Sequence, residues 1–61
     1  SFFSCRETIS SFIENDPSEL NEADLTIARL KLIPYYEEKC PKFKDLLSSY
    51  DEQLEKQYYK K

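Results

Sequence analysis

The chain has 61 residues, a net charge of −3, two cysteines, and no Gly, His, Met or Trp. Without His there is no Ser-His or Cys-His nucleophile pair, no histidine base and no His-based metal site. Without Gly there is no phosphate-binding loop, dinucleotide fingerprint or nucleophile elbow.

The first segment reads as a helix over about 4–14. Ser4 stands three residues before Glu7, the spacing of a capping box. Cys5, Ile9, Phe12 and Ile13 fall at i, i+4, i+7 and i+8, one face of an α-helix. Asn15-Asp16-Pro17 then punctuates the chain. With no glycine available, Asn15 is the best residue for a left-handed C-terminal cap. Asp16 suits an N-cap, Pro17 a first helical position, and Glu19 completes a second capping-box spacing.

A second helix is expected over about 17–32. Its start is acidic (Glu19, Glu22, Asp24) and its end basic (Arg29, Lys31), an order that complements the helix dipole. Asn21 offers a second N-cap, which would make the first turn a separate short piece. Leu20, Ala23, Ile27 and Leu30 form one apolar stripe; Leu25, Ala28 and Leu32 form another. So wide an arc predicts a central element that touches both neighbours. Ile33 precedes Pro34 and is biased out of the helical region.

The stretch from Pro34 to Pro41 is the least regular, although it admits a helical turn beginning at Pro34. The third helix is expected over about 41–57, with Pro41 at its first position. Its stripe is Phe43, Leu46, Leu47, Tyr50, Leu54 and Tyr58. Tyr59, Lys60 and Lys61 are expected to fray. No segment alternates with the two-residue period of a half-buried strand. The fold class is all-α: a compact three-helix domain, single over 1–61, stapled by one disulfide. At this length the chain buries only about 60% of the surface its unfolded form exposes, so a staple is expected and an interior cavity is not.

Cys5 and Cys40 are that staple. Two cysteines allow one intramolecular pairing. An intermolecular bridge and free thiols are the alternatives. A paired state places the chain in an oxidising, extracellular compartment. The missing Met leads to the expectation of a processed chain whose signal peptide has been removed. No apolar run approaches the length needed to span a membrane.

Charge is uneven. Residues 1–28 hold six acids and one cation, Arg6; residues 29–61 hold eight cations and six acids. Nucleic acid wants a concentrated cationic stripe, and a lytic peptide a cationic face with few acids, so neither nucleic acid nor membrane insertion is expected. Glu37-Glu38, Asp51-Glu52 and Glu14 with Asp16 are paired carboxylates, but a glycosidase needs a cleft between its pair. Asp16, Glu19 and Asp24 lack the glycine and ligand alternation of a calcium loop. The chain is read as not an enzyme, with no catalytic, cofactor-binding or metal-binding residues and no cofactor.

Phe2/Phe3, Tyr35/Tyr36 and Tyr58/Tyr59 are adjacent pairs. Neighbours cannot both face inward on a helix, so one of each is expected at the surface, where Tyr favours protein contact. Glu37, Glu38, Lys39, Lys42, Lys44 and Asp45 form the densest charge cluster and flank Cys40. With Tyr35 and Tyr36 they are the candidate receptor-binding residues.

Chain size, three helical segments and one early plus one later cysteine, Cys5 and Cys40, resemble the exocrine gland-secreting peptides of rodents. That resemblance implies a secreted pheromone peptide, a folded helical ligand whose charged surface meets the extracellular part of a type-2 vomeronasal receptor. The expectation is a monomeric, extracellular signalling peptide with a protein receptor as partner. The chain is also similar to secretoglobins, small secreted helical subunits with a cysteine near the N-terminus. That alternative implies a dimer carrying an apolar ligand. Its pattern includes a cysteine near the C-terminus, and residues 41–61 have none. A venom-type helical effector is a third reading.

Overall fold

Ser4 opens the first helix as its spacing requires. In the computed structural model, which describes residues 3–60, the Ser4 hydroxyl accepts a hydrogen bond from the Glu7 N–H at 3.3 Å. Helix α1 spans Cys5–Ile13. Ile9 is fully buried on its apolar stripe, with Cys5, Phe12 and Ile13 partly buried beside it. Asn15 ends the helix differently from expectation. No described residue has a positive φ, so Asn15 is not a left-handed cap. Its side-chain Nδ2 instead donates to the Phe12 carbonyl at 3.0 Å and the Ser11 carbonyl at 3.4 Å. An amide that reaches the orphan carbonyls removes the need for a strained backbone.

The corner that follows uses two caps in succession. Asp16 Oδ1 accepts from the Ser18 N–H at 3.0 Å and caps only a 3-10 turn, Pro17–Glu19. Asn21 then accepts from the Asp24 N–H at 2.8 Å and opens α2, Glu22–Ile27. The second helix thus starts five residues later than the 17 expected.

It also fails to stop before Pro34. A π-helical segment, Ala28–Leu32, follows α2, and α3, Ile33–Lys39, follows without a break. Ile33 is helical, at φ −59° and ψ −53°, and its N–H donates to the Ala28 carbonyl, five residues back. A proline inside a helix lacks one N–H and presses its ring on the carbonyl four residues earlier. Pro34 lies inside this continuous rod, and the π turn directly before it is the local widening that lets the helix carry a proline. Continuing the helix buries Ile33 and half-buries Tyr36. Burial of a large apolar side chain contributes about 1.5–3 kcal/mol, enough to outweigh the local bias of a residue before proline.

Cys40 breaks this rod at φ −131° and ψ 67°. Pro41–Phe43 forms a 3-10 turn, and α4 runs Lys44–Lys60. The third helix therefore begins as a tighter turn and continues past residue 57. Tyr58, Tyr59 and Lys60 are helical rather than frayed. The expectations for Phe2 and Lys61 lie outside the described residues.

The rod of residues 22–39 runs antiparallel to α4: Glu37 meets Ser48, and Arg29 meets Asp51 and Glu55. The end of α1 lies against both, since Phe12 touches the rings of Tyr36 and Tyr50. The core is Ile9, Leu25, Ala28, Ile33, Cys40, Leu47, Tyr50 and Leu54. Of the two stripes on the second segment, the one through Leu25 and Ala28 enters the buried core, and of the other only Leu20 packs against it. Ala23 is exposed, Ile27 is 46% exposed and Leu30 is 70% exposed, so the central element does not bury both of its apolar faces. On α4, Leu47 is fully buried while Leu46 is 45% exposed. Among the described residues, no helix is long and apolar enough to cross a membrane.

Candidate functional site at the bridged end

Cys5 and Cys40 form a disulfide within the chain, with Cα atoms 5.8 Å apart. Cys5 lies on the inner stripe of α1, and Cys40 is buried where α3 ends. Cys5 Sγ also lies 3.7 Å from the Lys39 carbonyl oxygen. The bridge ties the start of α1 to the joint between α3 and α4. Backbone bonds brace that joint from both sides: the Cys40 N–H donates to Tyr36 O at 2.7 Å, and the Phe43 N–H to Cys40 O at 2.9 Å.

Charged side chains radiate from this joint. Glu38, Lys39, Lys42, Lys44 and Asp45 are exposed. Glu37 is half-buried and accepts from the Ser48 hydroxyl at 3.5 Å, so it is partly engaged by α4. The two tyrosines divide as neighbours on a helix must. Tyr35 is 45% exposed, with Lys39 Nζ 5.8 Å from its ring centroid, a cation–π contact. Tyr36 turns inward, its ring 5.0 Å from that of Phe12. Exposed cations (Lys39, Lys42, Lys44) and anions (Glu38, Asp45) thus share the bridged joint with one exposed aromatic ring, Tyr35, over whose face Lys39 lies.

A second polar cluster joins the rod to α4 through residues whose link the sequence does not announce. Arg29 Nε lies 3.7 Å from Asp51 Oδ1, and its Nη2 lies 3.8 Å from Glu55 Oε2. The guanidinium stands 5.6 Å from the Tyr58 ring centroid. Neither Arg29 Nε nor Asp51 Oδ1 has a hydrogen-bond partner, although both atoms are buried. Burial raises the Asp51 carboxyl above its ordinary range, against the lowering effect of Arg29. The spacing that could have found the cluster is present: Asp51, Glu55 and Tyr58 stand at i, i+4 and i+7, and Arg29 is four residues after the buried Leu25.

Tyr50 closes the core from the other side. Its hydroxyl donates to the Asn15 carbonyl oxygen, and its ring meets Phe12 edge-on at 5.2 Å. Burial raises its hydroxyl pKa, with Asp16 adding to the rise. Among the described residues, no group of three or more His, Cys, Asp or Glu is arranged to hold a metal ion.

No protein-family model, curated protein or solved structure matches this chain.

Proposed function

We propose that the protein is a secreted extracellular signalling peptide, pheromone-like, that binds the extracellular part of a vomeronasal-type G-protein-coupled receptor as a monomer. The observation that carries this reading is the bridged end: an exposed Tyr35 in contact with Lys39, and exposed charges of both signs, all within five residues of Cys40 in sequence. Docking surfaces lose affinity to the ordering of side chains and loops, and a surface already held by a disulfide loses less. Mixed charge around an aromatic anchor supplies orientation as well as contact area. Tyr35, Glu38, Lys39, Lys42, Lys44 and Asp45 form the proposed contact surface; Tyr36 and Glu37 support it from beneath. The internal bridge disfavours the secretoglobin-like alternative, because it leaves neither cysteine for an intersubunit bond.

The test is calcium imaging of vomeronasal sensory neurons exposed to the purified chain. Lys42→Glu with Lys44→Glu is expected to abolish the response while far-UV circular dichroism stays unchanged. Undiminished activation by the folded double variant would refute the proposed surface, and the absence of any response to the wild-type chain would refute the receptor class.

A further inference from the structure

The stripe that the fold leaves uncovered borders a second surface. Phe12, Leu20, Ile27, Leu32 and Tyr50 wall a notch of about 210 Å³, with Asp24 at its rim. It lies where the end of α1, the 3-10 turn and α2 meet α4, at the end of α1 away from the bridge. Enclosed small-molecule sites usually measure roughly 300–1,000 Å³. This notch falls below that range and suits an inserted side chain better than a free ligand.

Charge selects the occupant. Glu14 at the end of α1, Asp16 and Glu19 in the turn, and Glu22 and Asp24 at the start of α2 are all exposed, and Asp24 lines the notch itself. No Lys or Arg occurs between Arg6 and Arg29. The ion pairs among the described residues are those of Arg29 with Asp51 and Glu55, so none offsets these five acids. Capping accounts for Asp16, and the helix dipole favours Glu22 and Asp24, but neither explains an apolar notch beside them.

We infer that this notch docks a basic segment of a partner protein: one apolar side chain enters between Phe12 and Ile27, and flanking Lys or Arg residues meet the acidic row. A lipid surface is disfavoured, since anionic headgroups would be repelled. A second copy is also disfavoured. It offers the Lys56, Tyr59 and Lys60 end of its α4, but that would be a head-to-tail contact of unlike surfaces, which need not close. The inference does not depend on the receptor surface proposed above, which lies at the other end of α1.

The experiment is an NMR titration of the isotope-labelled, oxidised protein with an acetylated Lys-Lys-Phe-Leu-Lys-Lys peptide. Saturable shifts are expected at the Leu20, Ile27 and Leu32 methyls, while the resonances of residues 37–45 stay in place. Raising NaCl from about 20 to about 500 mM should weaken binding about tenfold or more. Replacing the peptide's Phe and Leu by Ala should weaken it at least about tenfold. Ile27→Lys should abolish it, and Asp24→Lys should weaken it severalfold; both positions are exposed, so both variants are expected to fold. Three results would each overturn the inference. One is an equal response to a peptide with Glu in place of Lys. Another is an undiminished response to the Ala peptide, which would mean diffuse charge attraction only. The third is a concentration-dependent shift of the same methyls without peptide, which would make a second copy the occupant.

Discussion

Removing the bridge with Cys5→Ala and Cys40→Ala should cost most of the stability of this protein. The two cysteines are 35 positions apart. In the chain-entropy model a closed loop of that length restricts the unfolded ensemble by about 3.8 kcal/mol. At roughly 0.05–0.15 kcal/mol per residue, a chain of this size has a net stability of about 3–9 kcal/mol. The bridge is therefore comparable to the whole. A loss of about 4 kcal/mol corresponds to a fall in Tm of roughly 15–30 °C for a domain this small. Urea unfolding followed by far-UV circular dichroism measures it, comparing the oxidised chain with the double variant. The variant should also show a larger m-value, because its unfolded chain is no longer held in a loop. A stability difference below about 1 kcal/mol would refute the reasoning.

The adjacent leucines of α4 test its rotation. Leu47→Ala should destabilise by about 2–5 kcal/mol and the half-exposed Leu46→Ala by far less, and equal effects in chemical denaturation would contradict the packing. Tyr50→Phe removes the hydrogen bond to the Asn15 carbonyl and should cost about 1 kcal/mol at neutral pH. The folded Tyr50 holds its proton more tightly than the unfolded chain does, so its contribution is complete below about pH 10 and is lost as pH rises through its raised pKa. Tyr50→Phe should flatten that alkaline loss, which a denaturation series above about pH 10 would reveal. Asp51 follows the same sign in acid. Its raised carboxyl pKa makes stability fall as pH rises from the ordinary carboxylate value through the folded one, and Asp51→Asn should remove that component from the acid limb. An unchanged acid limb would mean that Asp51 is not desolvated.

Much of the local architecture was legible because its signals are local. Ser4, Asp16 and Asn21 cap the segments that their positions announced, and each does so within three residues of itself. Counting limits the internal pairing to Cys5 with Cys40, and the structure decides against an intermolecular bridge or free thiols. Asn15 was correctly placed as punctuation, but its mechanism was not legible: a side-chain amide and a left-handed backbone serve the same carbonyls, and composition does not separate them. The bridged-end residues were adjacent in sequence and stayed together in space. The Arg29 cluster was not legible, because it joins residues more than twenty positions apart across two helices.

The sequence by itself determined that the chain is helical, that it turns at residues 14–17 and at Cys40-Pro41, and that any internal bridge joins Cys5 to Cys40. These follow from periodicity, capping chemistry and cysteine number, none of which needs a partner segment. Only the tertiary structure decided that the helix runs through Pro34 by way of a π turn, and which of two apolar stripes on the second segment faces the core. Both outcomes depend on what α4 and α1 are placed to cover. Leu25, Ala28 and Ile33 meet those neighbours and are buried, whereas Ile27 and Leu30, equally apolar, are only partly covered and remain at the surface.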